Sequence, residues 1–352
     1  MTSTVSTRQG RLEGDHGKDV VRFKGIPFAR PPVGDLRFRA PEPPSSWQGI
    51  REAKQFGSSA PQVGPVNRII RSIIGAAGSK QSQDCLYLNV WTPACDRRRR
   101  PVMVWIHGGA FILGSGSTRI YDGGRLAHLG DTVVVTINYR LGALGFLNWK
   151  SVAGSGESPE ANLGVRDQIA ALDWVRQNIE AFGGDPENVT VFGESAGAMS
   201  TATLLGVPAA RGLFHKAILQ SGAAHNVSRE RKSSRAAGFF AEALKLDTLS
   251  LEALQKLPVT DIMRAQSEVS VRIGLDDGMM AWQPSVDDDL IPEQPLAAIE
   301  RGDAAAIPVL IGTNRDEFKL FTFTMTGKTF SFHHTRKTMV LQFSRRKLFL
   351  HF

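Results

Sequence analysis

The segment at 189–200, VTVFGESAGAMS, constrains the fold of this chain more than any other. A β-branched and aromatic run leads into GESAG, and residues of helical length follow until Pro208. GxSxG alone is a weak signal and is compatible with an ordinary turn serine. Between a strand and a helix, however, it is typical of a nucleophile elbow, in which the helix N-terminus faces developing negative charge. The context therefore predicts that Ser195 is a nucleophile for acyl transfer.

Short apolar runs alternate with helical patterns along the chain. The runs with strand character lie at 20–23, 86–91, 102–106, 132–137, 189–192, 217–219 and 308–311. Such runs fit strands that are buried on both faces of a parallel sheet. The clearest helical pattern spans 163–182, and two further helices, at 230–245 and 251–255, form an excursion over the sheet edge. We predict an α/β fold with a mainly parallel central sheet flanked by helices.

The net charge of +8 is unevenly distributed along the chain. Residues 318–352 contain seven Lys or Arg and no acidic residue, which leaves +1 for residues 1–317. A nearly neutral body gives no reason to expect nucleic-acid binding. Because no apolar run reaches the length of a membrane span and the N-terminus is polar, we expect a cytoplasmic protein without a membrane partner.

Cysteine and arginine patterns indicate structure rather than chemistry. Cys85 and Cys95 have neither the CxxC nor the histidine spacing of a metal site, and two cysteines do not indicate a disulfide framework. We interpret both as free thiols that pack in the fold, and we expect neither a metal ion nor an organic cofactor. The four arginines at 97–100 lie between two strand-like runs, where a solvated connecting loop is expected.

A second motif follows the strand-like run VMVWI. His107, Gly108, Gly109, Ala110 and Phe111 form a turn of small residues, from which backbone N–H groups can point into a cavity. Donors aimed at the oxyanion of a tetrahedral intermediate each lower the barrier by about 3 kcal/mol. HGGA alone is a common turn, and it gains weight because it precedes a nucleophile elbow in the same chain.

With both motifs in place, the chain resembles the type-B carboxylesterase family of α/β-hydrolases, which includes bacterial esterases and the cholinesterases. The matching stretches are FKGIPFARPPVGDLRF, QDCLYLNVWTP, VMVWIHGGAF, NYRLGALGFL, the elbow with the helix before it, LFHKAILQSG and GTNRDEF. Together they cover residues 19–320. The resemblance implies an α/β-hydrolase fold and hydrolysis of carboxylic esters through a serine acyl-enzyme.

The resemblance also implies roles for individual residues. Ser195 is the implied nucleophile and Glu317 the implied triad acid, in the chain order of α/β-hydrolases. Glu194 and Ser221 are expected to support the triad. The implied oxyanion donors are the backbone amides of Gly109, Ala110 and Ala196.

Further positions refine the resemblance. Arg140 and Asp167 are expected to form a buried ion pair. Gln83 replaces a glutamate that is usual in the family, so we expect only a neutral hydrogen bond from it to Arg37. Ala60 replaces the usual cysteine partner of Cys85, in agreement with a reducing compartment. No aromatic residue occurs at 61–84, so the platform that holds a quaternary ammonium is missing, and small uncharged esters are the expected substrates.

The triad histidine of the family has no identifiable counterpart in this chain. His333, His334 and His351 follow Glu317, but none lies in a segment that resembles the histidine loop. We expect a hydrolase domain at 1–317 that is incomplete at its C-terminal end, followed by a basic, Phe-rich tail at 318–352 that is foreign to it. A basic amphipathic helix is the alternative for this tail.

Two functions follow from this pattern. The first is a carboxylic ester hydrolase that is impaired by the missing base, because loss of triad members costs on the order of 10⁶ in turnover. The oxyanion hole and substrate binding leave a residual acceleration of about 10³ to 10⁴. The alternative is a catalytically silent, hydrolase-like binding module. The oligomeric state is not predicted by the sequence.

Overall fold

The computed structural model describes residues 2–62, 80–149, 158–246, 250–276 and 280–317. The chain divides into two compact units, Met1–Ile311 and Gly312–Phe352. The predicted tail at 318–352 lies outside the described residues, and so does most of the aromatic-free segment at 61–84. Within the described residues, no helix has the length and apolar character needed to cross a membrane.

The described residues form one mixed sheet with flanking helices. Its strands are β1 (Thr2–Ser6), β2 (Arg11–His16), β3 (Val21–Pro27), β4 (Ile50–Glu52), β5 (Tyr87–Thr92), β6 (Arg100–Ile106), β7 (Val133–Ile137), β8 (Gly184–Glu194), β9 (Lys216–Gln220) and β10 (Val309–Gly312). They are ordered β1-β2-β3-β5-β7-β6-β8-β9-β10, and β4 pairs with β2. Strands β7, β6, β8 and β9 run parallel. Strands β5, β3, β2 and β1 follow β7 in successive antiparallel pairs, whereas β4 pairs with β2 in parallel.

The helices are α1 (Gly124–Gly130), α2 (Gly142–Phe146), α3 (Leu163–Asn178), α4 (Ala196–Leu205), α5 (Glu230–Leu244), α6 (Leu251–Lys256), α7 (Val259–Asp276) and α8 (Pro295–Arg301). Helix α3 confirms the prediction at 163–182, since a 3₁₀ turn continues it to Phe182 and Gly183, at φ 79°, ends it. The predicted excursion contains α5 and α6 as expected. Helix α7 was not predicted, and it packs on both α5 and α2.

The predicted α/β fold is confirmed, with a parallel sheet centre. Every residue of β7 is buried, as expected for a strand covered on both faces. The N-terminal hairpin of β1 and β2 was not predicted. Its strand β2, next to the edge strand β1, alternates between buried and more exposed positions, so it lacks the continuous apolar run of a central strand.

The buried ion pair between Arg140 and Asp167 is confirmed. Asp167 is fully buried and Arg140 is 4% exposed. The carboxylate accepts hydrogen bonds from the Arg140 backbone N–H at 2.9 Å, Nε at 2.8 Å and Nη2 at 2.7 Å. The remaining Nη1 donates to the Arg39 carbonyl at 2.8 Å. The pair ties the segment after β7 to the first turns of α3.

The prediction of a solvated loop at 97–100 is wrong for Arg100, which begins β6 and is 4% exposed. Its guanidinium donates to Asp96 at 2.5 Å and to Asp131 at 2.7 Å. The hydrogen bond from Arg100 lowers the pKa of Asp96 to about 2, and the same bond raises the pKa of Arg100. The nearby Asp96 and the more distant Asp131 therefore hold Arg100 in a network of ion pairs.

The expected hydrogen bond between Gln83 and Arg37 is also wrong. Arg37 Nη1 instead donates to the carbonyls of Gln255 at 3.0 Å and Leu257 at 2.6 Å, at the end of α6. Carbonyls in a last helical turn lack intrahelical donors and attract cations, so they compete for this guanidinium. Within the described residues, Arg37 Nε and Gln83 Oε1 have no hydrogen-bond partner.

Both cysteines are free thiols, as predicted. Burial raises the pKa of Cys85, and it raises the pKa of Cys95 to about 11. A thiol that stays protonated at neutral pH is a poor nucleophile, so these residues act in packing.

Candidate active site

The predicted elbow lies where β8 ends and α4 begins. Ser195 has φ 55° and ψ −122°, a sparsely populated conformation that costs on the order of 1–3 kcal/mol. Its backbone N–H donates to the Gln220 carbonyl at 2.9 Å, and its carbonyl accepts from the Met199 N–H at 2.9 Å. These bonds hold the turn between β9 and α4. Ser195 is partly exposed, and its Oγ has no hydrogen-bond partner within the described residues.

The glycines of the elbow allow α4 to pack directly on the sheet. A methyl group at Gly197 would overlap the carbonyl oxygen of Ile106. One at Gly193 would lie 2.5 Å from the carbonyl carbon of Gly197, well inside van der Waals contact. Either side chain would push α4 away from β6 and displace Ser195.

The turn at 107–111, called the oxyanion turn below, lies beside the elbow because β6 and β8 are parallel neighbours. Ile106 pairs with Gly193, so both strands release their loops at the same sheet edge. A methyl group at Gly108 would lie 2.6 Å from the Glu194 carbonyl oxygen and 3.3 Å from Ser195 Cβ. The backbone of the turn therefore packs against the nucleophile itself.

The predicted oxyanion donors lie on these two loops. Gly109, Ala110 and Phe111 all have positive φ, at 118°, 54° and 62°. The N–H groups of Gly109 and Ala110 donate to no acceptor within the described residues. Ala196 is the first residue of α4, where a backbone N–H has no intrahelical partner. All three N–H groups remain available on the two loops beside Ser195, and their role as oxyanion donors stays a prediction.

His107 supports the oxyanion turn, a role that the sequence did not reveal. Its ring is buried, stacks on the Tyr139 ring at 4.4 Å and places Nδ1 2.8 Å from the Gly108 carbonyl. Because a carbonyl only accepts, the proton lies on Nδ1. Burial lowers the pKa of His107 to about 4, so the ring is neutral at pH 7. The Tyr139 hydroxyl donates to the His107 carbonyl at 2.8 Å and fixes the start of the turn.

Both residues predicted to support the triad lie at the elbow. Glu194 is the last residue of β8, and its Oε2 would lie 3.0 Å from a methyl group at Gly108. Burial raises the pKa of Tyr121 to about 12, and the negative charge of Glu194 adds to this shift. Ser221 follows β9 with φ 58°, and a methyl group at the next residue, Gly222, would lie 2.7 Å from the Ser195 carbonyl oxygen.

Glu317, the predicted triad acid, belongs to the second unit. Within that unit it is partly exposed, and its Oε2 accepts a hydrogen bond from the Asn314 backbone N–H at 2.7 Å. This bond turns the carboxylate back on its own loop. Its role in a triad stays a prediction.

Of the other described histidines, His128 is exposed on α1, and the remaining three have local partners. His16 Nε2 lies 2.8 Å from the Ser3 hydroxyl, and His215 Nδ1 accepts from the Val189 N–H at 3.2 Å. His225 lies 3.3 Å from the Asn226 amide, and burial lowers its pKa. No histidine ring hydrogen-bonds to Ser195 in the part of the chain that the structure describes. The three histidines after Glu317 lie outside it.

The chain is similar in sequence to known esterases. The chain is 46% identical to a para-nitrobenzyl esterase of Bacillus subtilis (strain 168) over 317 residues, which are 90% of this chain and 63% of that protein. It is 35% identical to a cholinesterase of Mus musculus over 342 residues, with 90% of this chain and 54% of that protein covered. The chain thus spans less than two thirds of the length of these curated relatives.

Solved structures agree with the sequence relatives. A thermophilic PNB esterase superposes with a TM-score of 0.87 at 42% identity, covering 97% of this chain and 69% of that chain. A carboxylesterase of Geobacillus stearothermophilus superposes with a TM-score of 0.82 at 42% identity, covering 92% and 64%. The family model described as carboxylesterase family matches residues 1–351. The predicted α/β-hydrolase fold is confirmed, and the chain belongs to the carboxylesterase family.

Proposed function

We propose that this chain hydrolyses carboxylic esters through an acyl-enzyme on Ser195. One observation carries the proposal: Ser195 stands in a strained corner, with Gly108 of the oxyanion turn packed against it. Strain that surrounding structure maintains is common at reacting groups. Family membership and the esterase names of the relatives support the same reaction class.

In this reaction, Ser195 Oγ attacks the ester carbonyl carbon, and the hydroxyl proton passes to a general base. The former carbonyl oxygen becomes negatively charged, and the amides of Gly109, Ala110 and Ala196 donate to it. The C–O bond breaks and the leaving alkoxide takes up a proton. Water then attacks the acyl group, which releases the acid and regenerates Ser195. We assign the triad acid to Glu317 and assign no histidine of this chain as the base.

The proposed substrates are small, uncharged esters. The stretch at 61–84 contains no Trp, Tyr or Phe, so it offers no aromatic face to a quaternary ammonium. Relatives of this chain include a phenmedipham hydrolase and a fumonisin B1 esterase as well as the para-nitrobenzyl esterase. Two free thiols suit a reducing compartment, and we propose the cytoplasm.

Covalent labelling and turnover test the proposal together. The purified chain and Ser195→Ala are incubated with a fluorophosphonate, the labelled peptide is mapped by mass spectrometry, and p-nitrophenyl acetate hydrolysis is measured. We expect labelling at 195 and turnover, and the loss of both in Ser195→Ala. Labelling without turnover would support the nucleophile but contradict ester hydrolysis by this chain. A folded chain that takes no label would refute the proposal.

A further inference from the structure

The far end of the oxyanion turn rests on a short helix outside the site. The Phe111 carbonyl accepts a hydrogen bond from the Gly142 N–H at 2.7 Å. Gly142 is the first residue of α2 and has φ +56°. The Phe111 ring also meets the ring of Phe146, at the other end of α2, edge to face at 4.9 Å. Helix α2 therefore sets the position at which the turn ends.

Gln266 of α7 fixes the first turn of α2. Its side chain is 2% exposed, and its Oε1 accepts the Ala143 N–H at 2.9 Å. Leu141, the residue before α2, provides no side-chain cap, so Gln266 supplies the acceptor that an N-cap residue normally supplies. The Gln266 amide also fills the space beside Gly142 Cα, where a methyl group would overlap it.

We propose that Gln266 is a positioning residue for the oxyanion turn, an inference that rests on the proposed function. Ala110 and Phe111 are consecutive non-glycine residues with positive φ. A non-glycine residue in this conformation is strained and persists only where its surroundings restrain it. Gln266 holds Gly142, Gly142 holds the Phe111 carbonyl, and the N–H of Ala110 lies one residue before. The helical excursion thereby acts on the oxyanion hole without touching the substrate.

Loss of the Gln266 amide has a defined consequence for this chain of contacts. The Ala143 N–H is left buried without an acceptor, and the space beside Gly142 opens. Phe111 then relaxes away from its left-handed conformation and displaces the Ala110 N–H. A misplacement of about 1 Å in a catalytic group costs on the order of 10²-fold in rate. Because the donors act in the transition state, the loss falls on the chemical step rather than on substrate binding.

Matched variants test this inference. Gln266→Met removes the acceptor at similar volume, and Gln266→Glu keeps an acceptor oxygen. Gln283→Met is the control, since Gln283 is also buried but its Nε2 donates to Ser228 Oγ at 2.8 Å. The readouts are the second-order rate of Ser195 phosphonylation by a p-nitrophenyl alkylphosphonate, and hydrogen–deuterium exchange of residues 107–113.

We expect Gln266→Met to slow phosphonylation by about 10- to 100-fold and to speed amide exchange selectively at 107–113. Gln266→Glu should restore the rate to within about threefold, and Gln283→Met should leave rate and local exchange unchanged. If Gln266→Met does not fold, Gln266→Asn, whose amide is one methylene shorter, replaces it.

The failures of the two proposals are distinguishable. A wild-type chain that is not phosphonylated refutes the proposed function at Ser195, and the exchange at 107–113 then decides the role of Gln266 alone. Equal rates and equal exchange in wild type and Gln266→Met would overturn the positioning role. Faster exchange across the whole chain, without a local effect at 107–113, would overturn it as well, because that result indicates general destabilisation.

Discussion

Replacing Asp167 by Asn should destabilise the fold by about 3–5 kcal/mol, the usual cost of removing one partner of a buried ion pair. The structure explains the size of the effect. Asp167 is fully buried and accepts three hydrogen bonds from Arg140, two on Oδ2 and one on Oδ1. The asparagine amide keeps one acceptor oxygen. Its NH₂ group faces an arginine N–H, and two donors cannot hydrogen-bond to each other. The Arg140 guanidinium, 4% exposed, then loses its counter-ion and cannot reach water.

Urea unfolding followed by tryptophan fluorescence and by circular dichroism measures this change. A lower midpoint with an unchanged m-value would locate the loss in the native state. Asp173→Asn is the matched control, because Asp173 lies on the same helix and pairs with Arg176 at 2.5 Å, with side chains 38% and 50% exposed. A pair at that exposure contributes less than about 1 kcal/mol.

If Asp167→Asn lowers the free energy of unfolding by no more than Asp173→Asn does, Arg140 is not an uncompensated charge in the variant. A double variant, Arg140→Leu with Asp167→Leu, tests whether the loss of stability comes from the unpaired charge. Removing both charges should cost less than removing one, since a buried pair gains little over apolar side chains of similar volume.

Three other perturbations test separate parts of the site. Gly197→Ala should lower stability by about 3 kcal/mol or more, because the added methyl group overlaps the Ile106 carbonyl oxygen. Thermal unfolding measures this loss of stability, and an unchanged midpoint would contradict the packing of the elbow. Gly238→Ala in α5 is its opposite, because no atom lies within 4 Å of the added methyl group, and it should raise stability by about 0.5–1 kcal/mol in the same assay. Burial lowers the pKa of His107 from 6.5 to about 4, so on acidification the unfolded chain binds a proton on this residue before the folded chain does. The stability that the neutral ring contributes is therefore complete above pH 6.5 and is lost as the pH falls to 4. His107→Gln should therefore reduce the pH dependence of the urea midpoint in that interval, and identical pH profiles for variant and wild type would contradict a neutral buried ring.

Local patterns were sufficient to predict the centre of the fold. The strand at 189–192, the elbow after it and the helix at 163–182 are all determined by neighbours in sequence, through apolar runs, glycines and helix period. The strand and the helix are β8 and α3 of the structure, and the elbow lies between β8 and α4. Strand register then places the predicted donors beside Ser195, which the order of motifs alone does not establish.

Positions that were mispredicted depend on partners far along the chain. Arg100 can be buried because its guanidinium forms an ion pair with Asp131, which directly follows α1. Arg37 bonds to carbonyls at the end of α6, more than two hundred residues away, in preference to Gln83. Gln266 lies in α7, a helix that the sequence patterns do not predict. Its proposed positioning role depends on the hydrogen bond that it accepts from the Ala143 N–H. Nothing in the local sequence distinguishes these side chains from solvated ones.

The location of the site follows from strand order before any side chain is considered. From β6 the chain adds β7 on one side, and then places β8 and β9 on the other. The strand order therefore reverses between β6 and β8, and in parallel sheets the connections on either side of such a point leave a crevice at the carboxyl ends of the strands. The oxyanion turn leaves β6 and the elbow leaves β8, so the two loops that flank this crevice carry the proposed donors and the proposed nucleophile. The backbone N–H groups of the oxyanion turn border this crevice independently of the side chain at 195. Under the proposed function, the residue at 195 decides whether an acyl group is bound covalently there.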